Sequence, residues 1–598
     1  MPFEDSRRLT GSNLFFASTG AVLEARGGLA DAAHLAGWRA RVARARAHLS
    51  WPDGPAIARR HARGTSLAIA ARADVLFLAT EVNEWAWCAT LLEAAPARLA
   101  GLEAALLAAA LEDAADPTTV IAPLLEERAA FARFERLAAR EASARLRALM
   151  ATADARQLPR VLDEDALTLG SGFRGRSWPI GALPEPGEVP WDALGDIPTA
   201  VVTGSNGKTT TVRLLAACAR AHGWHAGFNC TDGVFLDGEA LVSGDYSGPA
   251  GTRRVLRELR CEAAILETAR GGILRRGIAA SRAHVAVVTN ISSDHFGEYG
   301  IDDLEGLADV KLSVASLVGA DGLLILNADD ALLAARAARL VERFGTAPPL
   351  GWFALDADHA RLRAHREAGG PTAGVTGGRL RAHVAGRDHD LGSMDAMPLS
   401  VDGSARYNVA NLAGAALAAL ALGIPAPTIA AVFAAFGLRP DDNPGRLMRF
   451  EVEGTQVIVD YAHNPEGLRG LLSVAEHLRR GAGRLGVLIG HAGNRQDADI
   501  AAVARVAAEF RPDLVVVKED EAHLRGRHPG EIPRLIRAAL LEAGLPESRV
   551  PVCGTELEAA RLALAWALPG DVLALPIHSA AARAEVLALL EARSARAS

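Results

Sequence analysis

The sequence predicts an α/β protein of three domains, with a P-loop nucleotide domain in the middle, a doubly wound α/β domain after it and a distinct smaller α/β domain in front. Three observations carry this. Residues 199–220, TAVVTGSNGKTTTVRLLAACAR, join a short apolar run to a glycine-bearing turn and then to helical apolar spacing. Strand-like runs at 457–460, 485–489, 514–517 and 572–575 alternate with helical patterns, the signature of an open parallel sheet. A chain of 598 residues, half of them hydrophobic, exceeds a single core, because cores seldom grow past roughly 250–300 residues.

The N-terminal domain is assigned to residues 1–195. GAVLEA and DVLFLAT read as strands, and 35–49 and 85–107 as helices. Glu81, Asn83, Glu84, Trp85 and Trp87 read as a helix start with a solvated acidic edge. Residues 112–156 are helical and heavily charged. Glycine and proline then crowd the chain, which places a boundary between about 170 and 196 in a linker packed on the next domain.

The central domain is assigned to 196–440. Gly204 and Gly207 allow backbone N–H groups to approach a polyphosphate, Lys208 can reach its terminal phosphates, and the Thr209 hydroxyl can sit on Mg²⁺. The full P-loop spacing needs glycine at 202, where Val202 stands, so the loop is a shortened variant. Further strands end in Glu267, in Asn290 to His295, and in Asn327 to Asp330. Open α/β sheets bind ligands at such carboxyl ends. Mg²⁺ needs only one carboxylate beside phosphate oxygens and water, and Glu267 is the candidate.

Taken alone, His295 reads as a hydrogen-bonded structural histidine and Lys311 as a surface lysine on a helix. Residues 350–400 read as short strands with glycine-rich turns. Asn408 and Asn411 open the next helix, where an amide either reads a base edge or caps the helix. Residues 412–438 carry no charge and are long enough to span a bilayer. Gly423, Pro425 and Pro427 break them, so two buried helices are expected.

In the C-terminal domain, assigned to 441–598, strands end in the polar loops 460–465, 490–497 and 518–520. Two polar rims imply a cleft that closes on its substrates. A net charge of −7 and a pI near 6.2 argue against a nucleic-acid binder. Five scattered cysteines without a CxxC pair or an apolar signal peptide point to a reduced, cytoplasmic protein with no membrane partner.

GSNGKTT at 204–210, TNISSDHFG at 289–297, NVAN at 408–411 and DYAHNP at 460–465 resemble the Mur ligases. That resemblance implies the three-domain Mur ligase architecture and an ADP-forming ligase that activates a carboxylate as an acyl phosphate and joins it to an amine. Within the family, TDG at 231–233, ETARGGILR at 267–275 and HAGNR at 491–495 are similar to the Mur-like half of cyanophycin synthetase, without a counterpart of its ATP-grasp module. In that half a basic amino acid is added to an aspartate side chain.

The resemblance assigns roles residue by residue. Gly204, Thr210, Lys208 and the backbone of Asn206 and Gly207 hold the ATP phosphates, and Asn411 contacts adenine. Thr209 and Glu267 hold one Mg²⁺ and His295 a second metal, while Lys311 stands where many relatives carry a carbamylated lysine. Arg446 and Asp460 complete the nucleotide site, and Asn464, Asn494 and Arg495 face substrates beside His463, the candidate for taking the amine proton. The expected partners are an amino acid and a peptide or polymer carboxylate, in a homo-oligomer that works beside a full cyanophycin synthetase. The alternatives are a Mur-type ligase for a polyglutamate or cell-wall acceptor, and a non-catalytic ATP-binding partner subunit.

Overall fold

A computed structural model describes residues 3–27, 30–94, 126–293, 296–493, 495–519 and 524–597. The chain forms three α/β domains.

The N-terminal sheet has four antiparallel strands in the order Phe3–Leu9, Gly20–Arg26, Gly64–Ala70, Ala56–His61. Helices Ala32–His48 and Leu76–Ala94 bury Trp38, Val82 and Trp87 against Leu23 and Leu67. DVLFLAT is therefore not a strand but the start of the second helix. Leu78, Val82 and Ala86 are fully buried at four-residue spacing while Phe77 is exposed, and that period belongs to a helix. The Glu141 carboxylate accepts from the N–H groups of Phe77 and Leu78 at 2.7 and 2.8 Å, satisfying donors that a helix start leaves unpaired. Trp85 consequently lies inside the helix, and Asn83, expected on a solvated edge, is buried between Trp38 Nε1 and the Leu67 carbonyl. The part of the predicted helix beyond Ala94 and the pattern at 112–125 lie outside the described residues.

The glycine- and proline-rich stretch has more order than a linker. Arg160–Leu162, Ala166–Leu169 and Arg176–Pro179 make a small antiparallel sheet. Arg257 of the central domain ties it down, reaching Asp163 Oδ2 at 2.6 Å, Thr168 Oγ1 at 2.9 Å and the Ala166 carbonyl at 3.0 Å.

The central sheet has eleven strands. Thr199–Thr203 lies in it between Ala263–Glu267 and Ala283–Val288, parallel to both. Both faces of this strand are buried, which explains its unbroken apolar run. Helix Lys208–Ala221 packs on Arg406–Ala421, whose partner Ala426–Ala435 follows a turn at Gly423. No helix among the described residues is long and apolar enough to cross a membrane.

The C-terminal sheet runs Met448–Val452, Thr455–Asp460, Val572–Pro576, Leu485–Ile489, Leu514–Lys518, Val552–Cys553. All its pairs but the first are parallel, so their carboxyl ends share one rim.

Candidate functional site

Strand Thr199–Thr203 delivers the chain to a loop that Gly204 and Gly207 make possible. Both have positive φ, +148° and +84°. A Cβ on Gly204 would overlap the Thr289 hydroxyl, and one on Gly207 would overlap the Asn411 side chain. The segment after strand Ala283–Val288 clamps this loop from the side. Thr289 Oγ1 donates to the Asn206 carbonyl at 2.6 Å, and the Asn206 N–H donates to Asn290 Oδ1 at 2.9 Å. Ser205 and Ser292 exchange two further bonds of 3.0 Å. The Asn206 N–H, implied as a phosphate donor, is thus already occupied. Lys208, Thr209 and Thr210 begin the helix, where backbone N–H groups have no partner within it.

Lys208 Nζ folds back onto the Ser205 carbonyl at 3.0 Å. Below the loop, Lys311 is buried and its Nζ donates to the Gly204 carbonyl at 2.8 Å. Bare periodicity had put it on the surface. It lies at the end of helix Leu304–Lys311, turned toward the loop.

Glu267, at the end of strand Ala263–Glu267, is buried with hydroxyls as its hydrogen-bond partners. Thr209 Oγ1 donates to its Oε2 at 2.8 Å and Thr231 Oγ1 to its Oε1 at 3.4 Å. Burial pushes its pKa up; Lys208 and Thr209 pull it down without reversing the shift. A carboxylate and two hydroxyls in a buried cradle are hard oxygen donors, which fits Mg²⁺. Among the described residues no three His, Cys, Asp or Glu side chains gather into a protein-only cage.

A cavity of about 530 Å³ opens over the loop. Asn206 to Thr210, Glu267 and Asn411 line it from the central domain, and Arg446, Asp460 and His463 from the C-terminal domain. Asn411 and Asn408 are buried and hydrogen-bonded to each other at 3.1 Å; neither caps the helix, whose N-cap is Ala405. Asp460 accepts from the N–H groups of Leu447 and Ala462 at 2.7 and 2.8 Å, and burial raises its pKa. The Arg446 guanidinium lies over the Tyr461 ring, 4.8 Å from its centroid.

Asn464 and Arg495 face a second cavity of about 360 Å³, which shares His463 and Glu466 with the first. Asn464 also crosses between domains, its Nδ2 donating to Asn206 Oδ1 at 2.9 Å. The imidazole Nδ1 of His463 lies 3.1 Å from the Tyr461 carbonyl. His295 and Asn494 lie outside the described residues.

Sequence reasoning missed several contributors. Tyr407, immediately before the NVAN motif, and Tyr461, inside DYAHNP, supply aromatic walls. Asp232 was quoted only as part of TDG. Its carboxylate sits among three arginines from distant segments, Arg583 at 3.1 Å, Arg213 at 3.3 Å and Arg446 at 3.6 Å. Burial alone would raise its pKa, but Arg446, Arg213 and Arg583 hold it below the usual carboxylate range. Asp232 therefore bridges the central and C-terminal domains beside the nucleotide cavity.

Residues 202–419 match the Mur ligase middle domain, and residues 445–575 the Mur ligase glutamate ligase domain. Cyanophycin synthetase of Trichormus variabilis is 34% identical over 395 residues, which is 66% of this chain and 42% of that protein. The chain thus spans well under half of those relatives. The UDP-N-acetylmuramoyl-L-alanyl-D-glutamate–2,6-diaminopimelate ligase of Alkalilimnicola ehrlichii is 32% identical over 381 residues, covering 62% of this chain and 69% of that one. The structure of E. coli FolC with ADP aligns with a TM-score of 0.47 at 19% identity, over 67% of this chain and 90% of that chain.

Proposed function

The chain belongs to the Mur ligase family, and on that premise we propose that it is an ATP-dependent amide ligase that joins an amino acid, a basic one, to an aspartate side chain of a peptide or polymer. One observation carries the reading: the loop with Lys208, Thr209 and Glu267 opens into the same cavity as Arg446, Asp460 and His463 of the other domain. A nucleotide and an activated substrate held there would be enclosed from both sides.

In the first step an oxygen of the substrate carboxylate attacks the γ-phosphorus of ATP; that P–O bond forms as the bond to ADP breaks, leaving an acyl phosphate. Lys208 and the first-turn N–H groups neutralise charge on the transferring group. Mg²⁺ held by Thr209 and Glu267 would supply further neutralisation there. In the second step a neutral amine attacks the acyl carbon, the C–N bond forms and phosphate leaves. His463, shared by both cavities, is placed to take the amine proton. Closure of the C-terminal domain keeps water from the acyl phosphate.

The second cavity offers carboxylates, Glu466, Asp499 and Glu509, together with arginines, Arg469, Arg495 and Arg505, a mixed lining that can meet both the side-chain cation and the carboxylate of a basic amino acid. The similarity of ETARGGILR and HAGNR to cyanophycin synthetase supports the aspartate acceptor. A second metal at His295 and carbamylation of Lys311 belong to the same reading. The buried Lys311 Nζ, 2.8 Å from the Gly204 carbonyl, is already against the phosphate loop. Intact-mass measurement in bicarbonate buffer tests the carbamate, with Lys311→Arg as the unmodifiable control.

Phosphate release from ATP, screened over amino acids with and without an aspartate-rich peptide, tests the function. Release is expected only when the peptide and a basic amino acid are both present. Nucleotide binding without release from any pair would contradict a ligase and favour the non-catalytic subunit.

A further inference from the structure

The tip of a hairpin in the N-terminal domain reaches the central-domain loop that runs from Gly297 to Asp302. In strands Ala56–His61 and Gly64–Ala70, His61 pairs with Gly64, so Ala62 and Arg63 form the turn. This turn docks on the central-domain segment that follows the TNISSDHFG motif. The Ala62 N–H donates to Asp302 Oδ2 at 2.8 Å, and the Arg59 guanidinium donates to the Gly300 carbonyl. The His61 ring closes on Gly300, where a Cβ would lie 2.5 Å from its Cδ2.

With the turn so anchored, Arg63 extends to Gly297. A Cβ at Gly297 would lie 2.6 Å from Arg63 Nη2 and 3.3 Å from Gln496 Nε2. Residues of all three domains therefore meet around one guanidinium. Its neighbours define the place: Ser293, on the segment leading to Gly297, and Arg495, adjacent to Gln496, both line the 360 Å³ cavity. Arg59 and Arg270 are engaged in holding this segment, by the Gly300 carbonyl and by Glu298 respectively. Arg63 is not so engaged. It makes no hydrogen bond or ion pair with any described residue and is exposed.

An exposed guanidinium next to Gly297 and Gln496, on a backbone fixed by its neighbours, is suited to bidentate recognition of a carboxylate. We infer that Arg63 binds a carboxylate of the acid substrate, an acidic peptide whose neighbouring carboxylate enters the cleft to be activated. The N-terminal domain thereby supplies a specificity-determining residue to a site built by the other two. The inference rests on the proposed ligase reaction. It deepens that reading by requiring more than one carboxylate on the acceptor, one held at the rim and one at the phosphate loop.

Calorimetric titration with tetra-aspartate, in the presence of ADP and Mg²⁺, compares wild type, Arg63→Ala and Arg63→Lys, each also titrated with ADP. Arg63→Ala is expected to weaken tetra-aspartate roughly five- to tenfold, as for a charge-assisted contact partly exposed to water. Arg63→Lys should recover only part, because an ammonium lacks the planar fork. ADP affinity should be unchanged in both, which separates the effect from unfolding or a damaged nucleotide site. In turnover the acceptor KM should rise with kcat unchanged. Equal tetra-aspartate binding by wild type and Arg63→Ala overturns the role of Arg63 alone. Wild-type protein that binds ADP but no tetra-aspartate overturns it together with the acidic acceptor.

Discussion

Two buried glutamates, one in the N-terminal sheet and one in the central site, are solved by the protein in opposite ways. Glu24 is fully provided for: Arg7 donates to its Oε1 at 2.6 Å, Ser66 to its Oε2 at 2.7 Å, and His61 Nε2 stands 3.5 Å away. Burial alone would raise its pKa, but His61, Arg7 and Ser66 bring it down to about 2. Glu267 is equally buried, yet its hydrogen-bond partners are the hydroxyls of Thr209 and Thr231, and burial leaves its pKa raised. The first carboxylate completes a fold. The second is provided with oxygens rather than cations at its own edge, so a cation from solution has a place to act.

The contrast breaks most visibly in turnover. Lys208→Ala and Glu267→Gln should each lower kcat/KM for ATP-dependent phosphate release by roughly a thousandfold, the scale of lost electrostatic stabilisation of phosphoryl transfer. Glu24→Gln should leave turnover within about twofold, because its partners are structural. A large kinetic effect at Glu24 would erase the distinction.

Stability is the next largest effect, and here the order reverses. A carboxyl at about 2 rather than 4.5 contributes roughly 3 kcal/mol. Because the folded value is depressed, this contribution is present above about 4.5 and lost as pH falls toward 2. Glu24→Gln should therefore destabilise at neutral pH by about that amount and flatten the acid limb of a denaturation profile. Asp232→Asn leaves three arginines facing one another between domains, and should raise the ATP KM roughly fivefold while expanding the protein in X-ray scattering. The smallest effect sharpens the comparison. Glu267 has a raised folded pKa, so its contribution is complete below the unfolded value and lost as pH rises through the folded one. Glu267→Gln should accordingly raise the Tm of nucleotide-free protein at neutral pH by a few degrees.

How much of this was legible depended on where each group's environment came from. Strands Thr199–Thr203, Ala263–Glu267 and Leu485–Ile489 could be read because parallel strands buried on both faces appear as unbroken apolar runs that stop at polar rims. Glu267 and the loop glycines were visible for the same reason, sitting at such a stop. DVLFLAT was misread because a short apolar run does not distinguish strand from helix, and its deciding partner, Glu141, lies 63 residues or more away. Lys311 looked solvent-facing because helical spacing does not reveal that a helix ends beneath the phosphate loop. The Asp232 cluster depends on Arg213, Arg446 and Arg583, which no local pattern brings together. The family motifs helped most where chemistry is local, and least in the N-terminal domain, where Arg63 acts from a turn without a signature.

The most direct test of the central claim is oxygen transfer. The acceptor identified by phosphate release is labelled with oxygen-18 in its carboxylates, and the phosphate released in turnover is analysed by mass spectrometry. An acyl phosphate requires that one labelled oxygen leave with each phosphate released in amide formation, and Lys208→Ala should release that labelled phosphate far more slowly. Unlabelled phosphate formed together with the amide product would contradict carboxylate activation at this site.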